Sequence, residues 1–131
     1  MKIAAIYART APLERSSLTS IKKQVSASRK RIKKDNNLLL EDRVYVDLGY
    51  SGVKINRPAL TKLLKDAKRK KFEVLYVENT DRLSRNYDQY KLLLSTLADL
   101  DIKFVSLGEC SPSLRARKYK QPGNLNLSIN N

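Results

Sequence analysis

The sequence predicts an α/β fold: a three-layer domain whose mostly parallel sheet of four to five strands carries helices on both faces. Three observations predict it. Short apolar runs alternate with longer amphipathic ones in the order β-α-β-α-β-α-β, and strands joined by helical crossovers lie parallel. The apolar runs are continuous rather than alternating, as expected of strands buried on both faces. Finally, 131 residues with 41% hydrophobic content and only four Gly and four Pro suffice for one core and not for two.

Residues 2–8 form the first apolar run, a buried strand, which the segment with Pro12 and Ser16 ends. From Ser17 to about Asp35, Leu18, Ile21, Val25 and Ile32 recur at helical spacing and are the expected inward face. Lys22, Lys23, Arg29, Lys30, Lys33 and Lys34 fill the remainder, and Asn36-Asn37 is a stop signal. Those lysines either lie along a polyanion or solubilise the helix. Arg43–Val46 is a second strand ending at Asp47, and the loop 47–57 contains Gly49, Ser51 and Gly52. Pro58 suits the first turn of a helix that turns Leu60, Leu63, Leu64 and Ala67 inward, with Lys68–Lys71 at its cation-favouring end. Glu73–Val77 is a third strand. A third helix is expected from about Arg85, with Tyr90, Leu93, Leu97 and Leu100 on one side. Leu92 and Leu94 widen that stripe, either toward two edges of the sheet or toward another subunit. Ile102–Leu107 is the fourth strand. Residues 1–109 are thus the expected folded domain and 110–131 a basic arm, with Arg115–Lys120 as its charge cluster.

Charge and composition bound the chemistry. There are 27 Lys+Arg against 13 Asp+Glu, a formal net charge of +14, no His and one Cys, Cys110. Histidine-based acid–base catalysis, Ser-His-Asp triads, Cys/His zinc sites and intrachain disulfides are therefore excluded. The apolar N-terminus is too short for a signal peptide and nothing approaches the ~18–20 apolar residues of a membrane span, so a cytoplasmic location is expected. A body this basic suits nucleic acid first and an anionic membrane surface second, unless the lysines are simply solvated. Of the seven tyrosines, Tyr7, Tyr45 and Tyr76 fall in strands and are expected in the core.

Ligands of open α/β sheets bind beyond the carboxyl ends of the strands. Here those ends carry Arg9, Asp47, Asp81 and Arg82, with Arg57 and Arg85 close in sequence. Clustered guanidinium groups bind phosphate oxygens and oppose the charge of a phosphoryl transition state. The carboxylates would fix those arginines or handle a proton.

Tyr7-Ala8-Arg9, Ser20-Ile21-Lys22-Lys23-Gln24, Asp47-Leu48-Gly49-Tyr50-Ser51-Gly52, Arg57-Pro58 and Asp81-Arg82-Leu83-Ser84-Arg85-Asn86 follow one another along the chain. In this order they resemble the motifs of the serine recombinase (resolvase/invertase) catalytic domain, and the longer second loop resembles that of the large serine recombinases and integrases. The resemblance runs from about residue 2 to 109, and Gly123–Leu127 is similar to the segment leading into the family's dimerisation helix. It implies double-stranded DNA as substrate, dimers and tetramers of the full-length protein, and no metal, nucleotide or other cofactor. The implied reaction is serine attack on a phosphodiester, giving a 5'-phosphoserine and a free 3'-hydroxyl that later reverses the step. By the same resemblance Arg9, Arg57, Arg82 and Arg85 would hold the scissile phosphate, Asp81 would orient an arginine or move a proton, and Gln24, Asp47 and Ser51 would support them.

The family pattern Tyr-x-Arg-x-Ser places its nucleophile at position 11, where this chain has Ala11. A methyl group cannot attack phosphorus, so the chain is expected to be inactive as written. An engineered exchange, a naturally inactive relative and a local shift in alignment all accommodate Ala11. Thr10 would point to the opposite face of an extended segment, while Ser16 and Ser17 are expected to cap the following helix. A DNA-binding region beyond residue 109 is also expected in the family and has no room here. Two other readings use the same residues: a Mg²⁺-dependent nuclease or topoisomerase-like domain built on Asp47, Glu78 and Asp81, and a DNA-binding or dimerisation module that has lost catalysis.

Overall fold

The computed structural model describes residues 1–53 and 56–108. In chain order the elements are β1 (Ile3–Arg9), α1 (Ser17–Lys34), β2 (Leu38–Asp47), α2 (Pro58–Lys68), β3 (Val74–Val77), α3 (Thr80–Leu83), α4 (Tyr87–Asp99) and β4 (Lys103–Ser106). The four strands form one parallel sheet in the order β2-β1-β3-β4. Their carboxyl ends therefore share one edge, with β1 central among them.

The sheet is apolar on both sides because each side is covered. One face carries the larger cluster, in which Ala5, Tyr7, Tyr45, Leu75, Val77 and Phe104 meet Leu60, Leu63 and Ala67 of α2 and Tyr87, Tyr90, Leu93 and Leu97 of α4. The other carries Ala4, Ile6, Val74, Tyr76 and Val105 beneath Ile32 of α1. Burying a tyrosine ring requires a partner for its hydroxyl, and two such bonds tie helices to the sheet. Tyr45 donates to buried Asp66 of α2 at 2.6 Å, and Tyr76 donates to Asp35 at the end of α1 at 2.8 Å. Asn36 takes a left-handed φ of 59° directly after α1, so the Asn-Asn stop signal acts through backbone geometry.

Several expectations change. Of the expected inward face of α1, Ile32 is buried and Val25 packs against the same cluster, but Leu18 is 67% exposed while Gln24 and Ser28 are buried. Apolar spacing favours Leu18 over Gln24, whose burial rests on its bonds to the Arg9 backbone. Strand β2 begins at Leu38, not Arg43, because Ile3 and Ala4 pair with Leu38 and Leu39 before the register shifts at Ile6. The third helix expected from about Arg85 is α4, which starts where the Asn86 side chain accepts from the Gln89 N–H at 3.0 Å; the single turn of α3 before it, with extended Ser84 between them, stands where a strand end was expected. Leu93 and Leu94 are buried and Leu92 is 60% exposed, so the wide leucine stripe is mostly core. The basic arm and Cys110 lie outside the described residues. Among the described residues no helix is long and apolar enough to cross a membrane.

Candidate active site

The site grows from the end of β1. Gln24 of α1 grips the Arg9 backbone on both sides, accepting from its N–H at 3.1 Å and donating to its carbonyl at 2.9 Å. That double bond fixes where the Arg9 side chain departs. Its guanidinium then donates to the Arg82, Tyr50 and Asp81 carbonyls at 3.0, 2.8 and 2.7 Å. Gly52 lies against the same group: a Cβ there would stand 2.5 Å from Arg9 Nη2 and 2.8 Å from Arg85 Cγ. A glycine is required because the guanidinium occupies the place of a side chain.

Arg57 is fully buried beside it. It donates to the Leu83 carbonyl at 2.6 Å and to the Tyr7 hydroxyl at 3.1 Å, with its charge 5.7 Å from the Tyr7 ring centre. Tyr7 in turn donates to Asp47 at 2.7 Å. Burial, followed by the bond to Asp47, raises the Tyr7 pKa far above the usual phenol value despite Arg57, so the hydroxyl keeps its proton. Asp47 also accepts from the Ala59 and Leu60 N–H groups at 2.9 and 3.0 Å. It thereby caps α2 from another strand, since Arg57 at the N-cap position supplies no side-chain bond of its own.

Among the described residues neither Arg9 nor Arg57 has a carboxylate ion partner; carbonyl dipoles and the Tyr7 hydroxyl hold them. Burial first, then the charges of Arg57, Arg82 and Arg85, push the Arg9 pKa down to about 10. It remains cationic at neutral pH, and the pair leaves net positive charge beneath the surface, which favours an anion above it.

Arg82 is partly buried between the Arg9 backbone and the surface. It donates to the Arg9 carbonyl at 3.1 Å, to Glu14 at 3.0 Å and to the Ser20 hydroxyl at 3.3 Å, and meets Glu78 at 3.4 Å. Ala11 follows directly, its N–H donating to the same Glu14 oxygen at 3.0 Å. Arg85 is exposed, with its backbone N–H bonded to the Gly52 carbonyl at 2.8 Å.

The structure thus brings Arg9, Ala11, Gln24, Asp47, Arg57, Asp81, Arg82 and Arg85 to one edge, but not all in the expected roles. Arg9 and Arg57 are buried under the α3 turn instead of lying open to a ligand. Asp81 orients Arg9 through its backbone carbonyl, while its Oδ1 is buried with no hydrogen-bond partner among the described residues. Ser51 accepts from the Val53 N–H within its own turn. Thr10 is buried and accepts from the Gly49 N–H at 3.0 Å, which occupies its hydroxyl in holding the loop. Ser16 makes no side-chain cap bond, since its left-handed φ of 52° carries it out of capping geometry, and Ser17 donates to the Glu14 carbonyl. Asp47 is spent on the α2 cap, and no group of three His, Cys, Asp or Glu able to hold a metal occurs among the described residues. The three-carboxylate magnesium reading therefore has no cluster to stand on. Tyr7, Glu14, Ser20 and Gly52 belong to the site yet were not singled out as site residues. Gly52 and Ser20 lay inside recognised motifs, whereas nothing in the spacing marked Glu14.

A parallel α/β sheet with an arginine cluster at its carboxyl edge defines the class of proteins that handle phosphate at that edge. The comparisons specify which: the chain belongs to the resolvase family, whose N-terminal domain model matches residues 4–125. It is a site-specific recombinase catalytic domain of the serine recombinase type. The N-terminal catalytic domain of TP901-1 integrase is similar at 31% identity and a TM-score of 0.72, over 81% of this chain and 77% of that one. The C-terminal catalytic domain of ISC1926 TnpA, an IS607-like serine recombinase, shares the fold at 21% identity and a TM-score of 0.72, over 81% and 67% of the two chains. A resolvase family site-specific recombinase from Streptococcus pneumoniae does so at 18% identity and a TM-score of 0.70, over 82% and 72%. No curated protein matches the chain.

Proposed function

We propose that the cluster seats one phosphodiester of double-stranded DNA beside position 11, with Arg82 and Arg85 reaching the phosphate and Arg9 and Arg57 supplying field from below. The observation that carries this reading is the buried Arg9–Arg57 pair, which has no carboxylate ion partner among the described residues and whose Arg9 stands two residues before the family's nucleophile position. In such a seat a serine at 11 would attack phosphorus, releasing the 3'-oxygen and leaving the 5'-phosphate on the serine. Reversal by a 3'-hydroxyl rejoins the strand, so the phosphoester conserves the bond and the arginines supply the electrostatics. Ala11 has no oxygen to attack with. The chain as it stands binds DNA without cleaving it, and Asp81 and Gln24 act by positioning Arg9.

The full-length protein self-associates, as a dimer and within a synaptic tetramer, around this site. The test is Ala11→Ser, incubated with a pool of randomised duplexes and resolved under denaturing conditions. A covalent adduct carrying a 5'-phosphate, absent from the parent chain and from A11S/R82A, is the expected result. Intact duplex binding by A11S with no adduct removes position 11 from the chemistry.

A further inference from the structure

Resting on that reading of the seat, we propose that Glu14 is an internal stand-in for phosphate, which DNA must displace to reach position 11. One carboxylate oxygen, Oε1, accepts from both the Ala11 N–H and Arg82 Nη1, each at 3.0 Å. A backbone amide and a guanidinium converging on a single anionic oxygen is the arrangement that receives a phosphate oxygen. One of the donors is the amide of the nucleophile position itself, and both are engaged.

The carboxylate remains charged in this place. Burial raises its pKa, but the bonds from Arg82 and the Ala11 N–H outweigh burial and hold it below the usual glutamate range. The surrounding chain allows exchange. Residues 12–16 between β1 and α1 belong to no strand or helix, and neighbouring Leu13 is 95% exposed. Meanwhile the Glu14 backbone is tied at both ends, its N–H to the Ala11 carbonyl at 3.2 Å and its carbonyl to Ser17 at 2.7 Å. The side chain can therefore swing into water about a fixed backbone, freeing two donors without unfolding an element. A phosphate oxygen offers the same acceptor and charge in return.

The experiment measures binding by the full chain of a short fluorescent duplex at fixed salt. Glu14→Gln removes the competing charge, and Glu14→Asp retains it while drawing the carboxylate back by one methylene. Glu41→Gln makes the same net charge change at an exposed residue paired with Arg29. Both Glu14 variants should tighten binding, E14Q by about tenfold, the worth of one charge-assisted hydrogen bond, and E41Q by less than about twofold. Inorganic sulfate should also move the Ala11 amide resonance of E14Q more than that of the parent. Duplex affinity no higher in E14D and E14Q than in E41Q overturns the stand-in, as does tighter sulfate binding without tighter duplex binding. Arg82→Ala separates the two proposals: if it leaves duplex affinity unchanged, the phosphate seat itself fails, whereas weakened binding alongside inert Glu14 variants fails only the stand-in.

Discussion

Gly52→Ala tests the packing that aims Arg9. Gly52 has no positive φ, unlike Gly49 at 79°, so its backbone accepts alanine without strain. The new methyl would stand 2.5 Å from Nη2 and 2.8 Å from Cζ of Arg9, separations that real Cβ atoms essentially never show. The guanidinium must retreat by about 1 Å, enough to take bonds of 2.7 to 3.0 Å past hydrogen-bonding range. Three charge-assisted bonds to carbonyls at about 1.5–3 kcal/mol each set an upper bound. Water and loop adjustment recover part of it, and loss of unfolded-state freedom returns about 0.4–1 kcal/mol. The expected net destabilisation is about 2–4 kcal/mol by urea unfolding, together with weakened duplex binding because Arg9 no longer lies beneath the seat. Gly49→Ala is the control: nothing lies within 4 Å of its Cβ position, so only backbone strain of about 1 kcal/mol is expected, with duplex affinity retained per folded molecule. A G52A protein as stable as the parent and equal in DNA affinity would refute the account of Arg9.

Asp47→Asn leaves one of three donors to buried Asp47 facing an amide N–H, and should cost about 2–3 kcal/mol in urea unfolding; a change under about 0.5 kcal/mol would mean that α2 does not depend on this cap. Asp66 is held below its usual pKa chiefly by the Tyr45 hydroxyl, against some desolvation and with help from Lys71 and Arg43. Its contribution is therefore present above the unfolded value of about 4 and lost as pH falls through the lower folded value. Asp66→Asn should lower stability at neutral pH and flatten that acid loss, and an unchanged acid limb counts against the assignment. On the outer face of α1, Lys22, Lys23 and Lys30 border a groove of 420 Å³. If they lie along the DNA backbone, replacing all three by Gln should reduce the slope of log affinity against log salt by about 0.9 per lost phosphate contact; an unaltered slope assigns them to solvation.

The sheet was legible because its signal is local. Continuous apolar runs such as Ile3–Ala8 and Val74–Val77 with helical crossovers between them leave few arrangements besides a parallel sheet. Strand ends then pointed to Arg9, Asp47 and Arg82. The misreadings arose where polar residues do structural work. Gln24 lies on the buried face of α1 because it satisfies the Arg9 backbone, a role invisible to a pattern that counts apolar side chains. The turn of α3 was missed because four residues, Thr80–Leu83, are too few for an apolar period to register and closely follow the apolar run of β3.

By itself, the sequence determined the layering, the strand-end edge at which the arginines gather, and the alanine at the position of the family's nucleophile. These follow from residue type and spacing along the chain. Only the tertiary structure decided that Arg9 and Arg57 are buried on carbonyl dipoles, that Asp47 caps a helix outside its own strand, and that Glu14 covers the Ala11 amide. Each of these depends on which donor meets which acceptor across tens of residues. Hydrogen bonds reach only about 3 Å, and no spacing along a chain records a distance that folding alone creates.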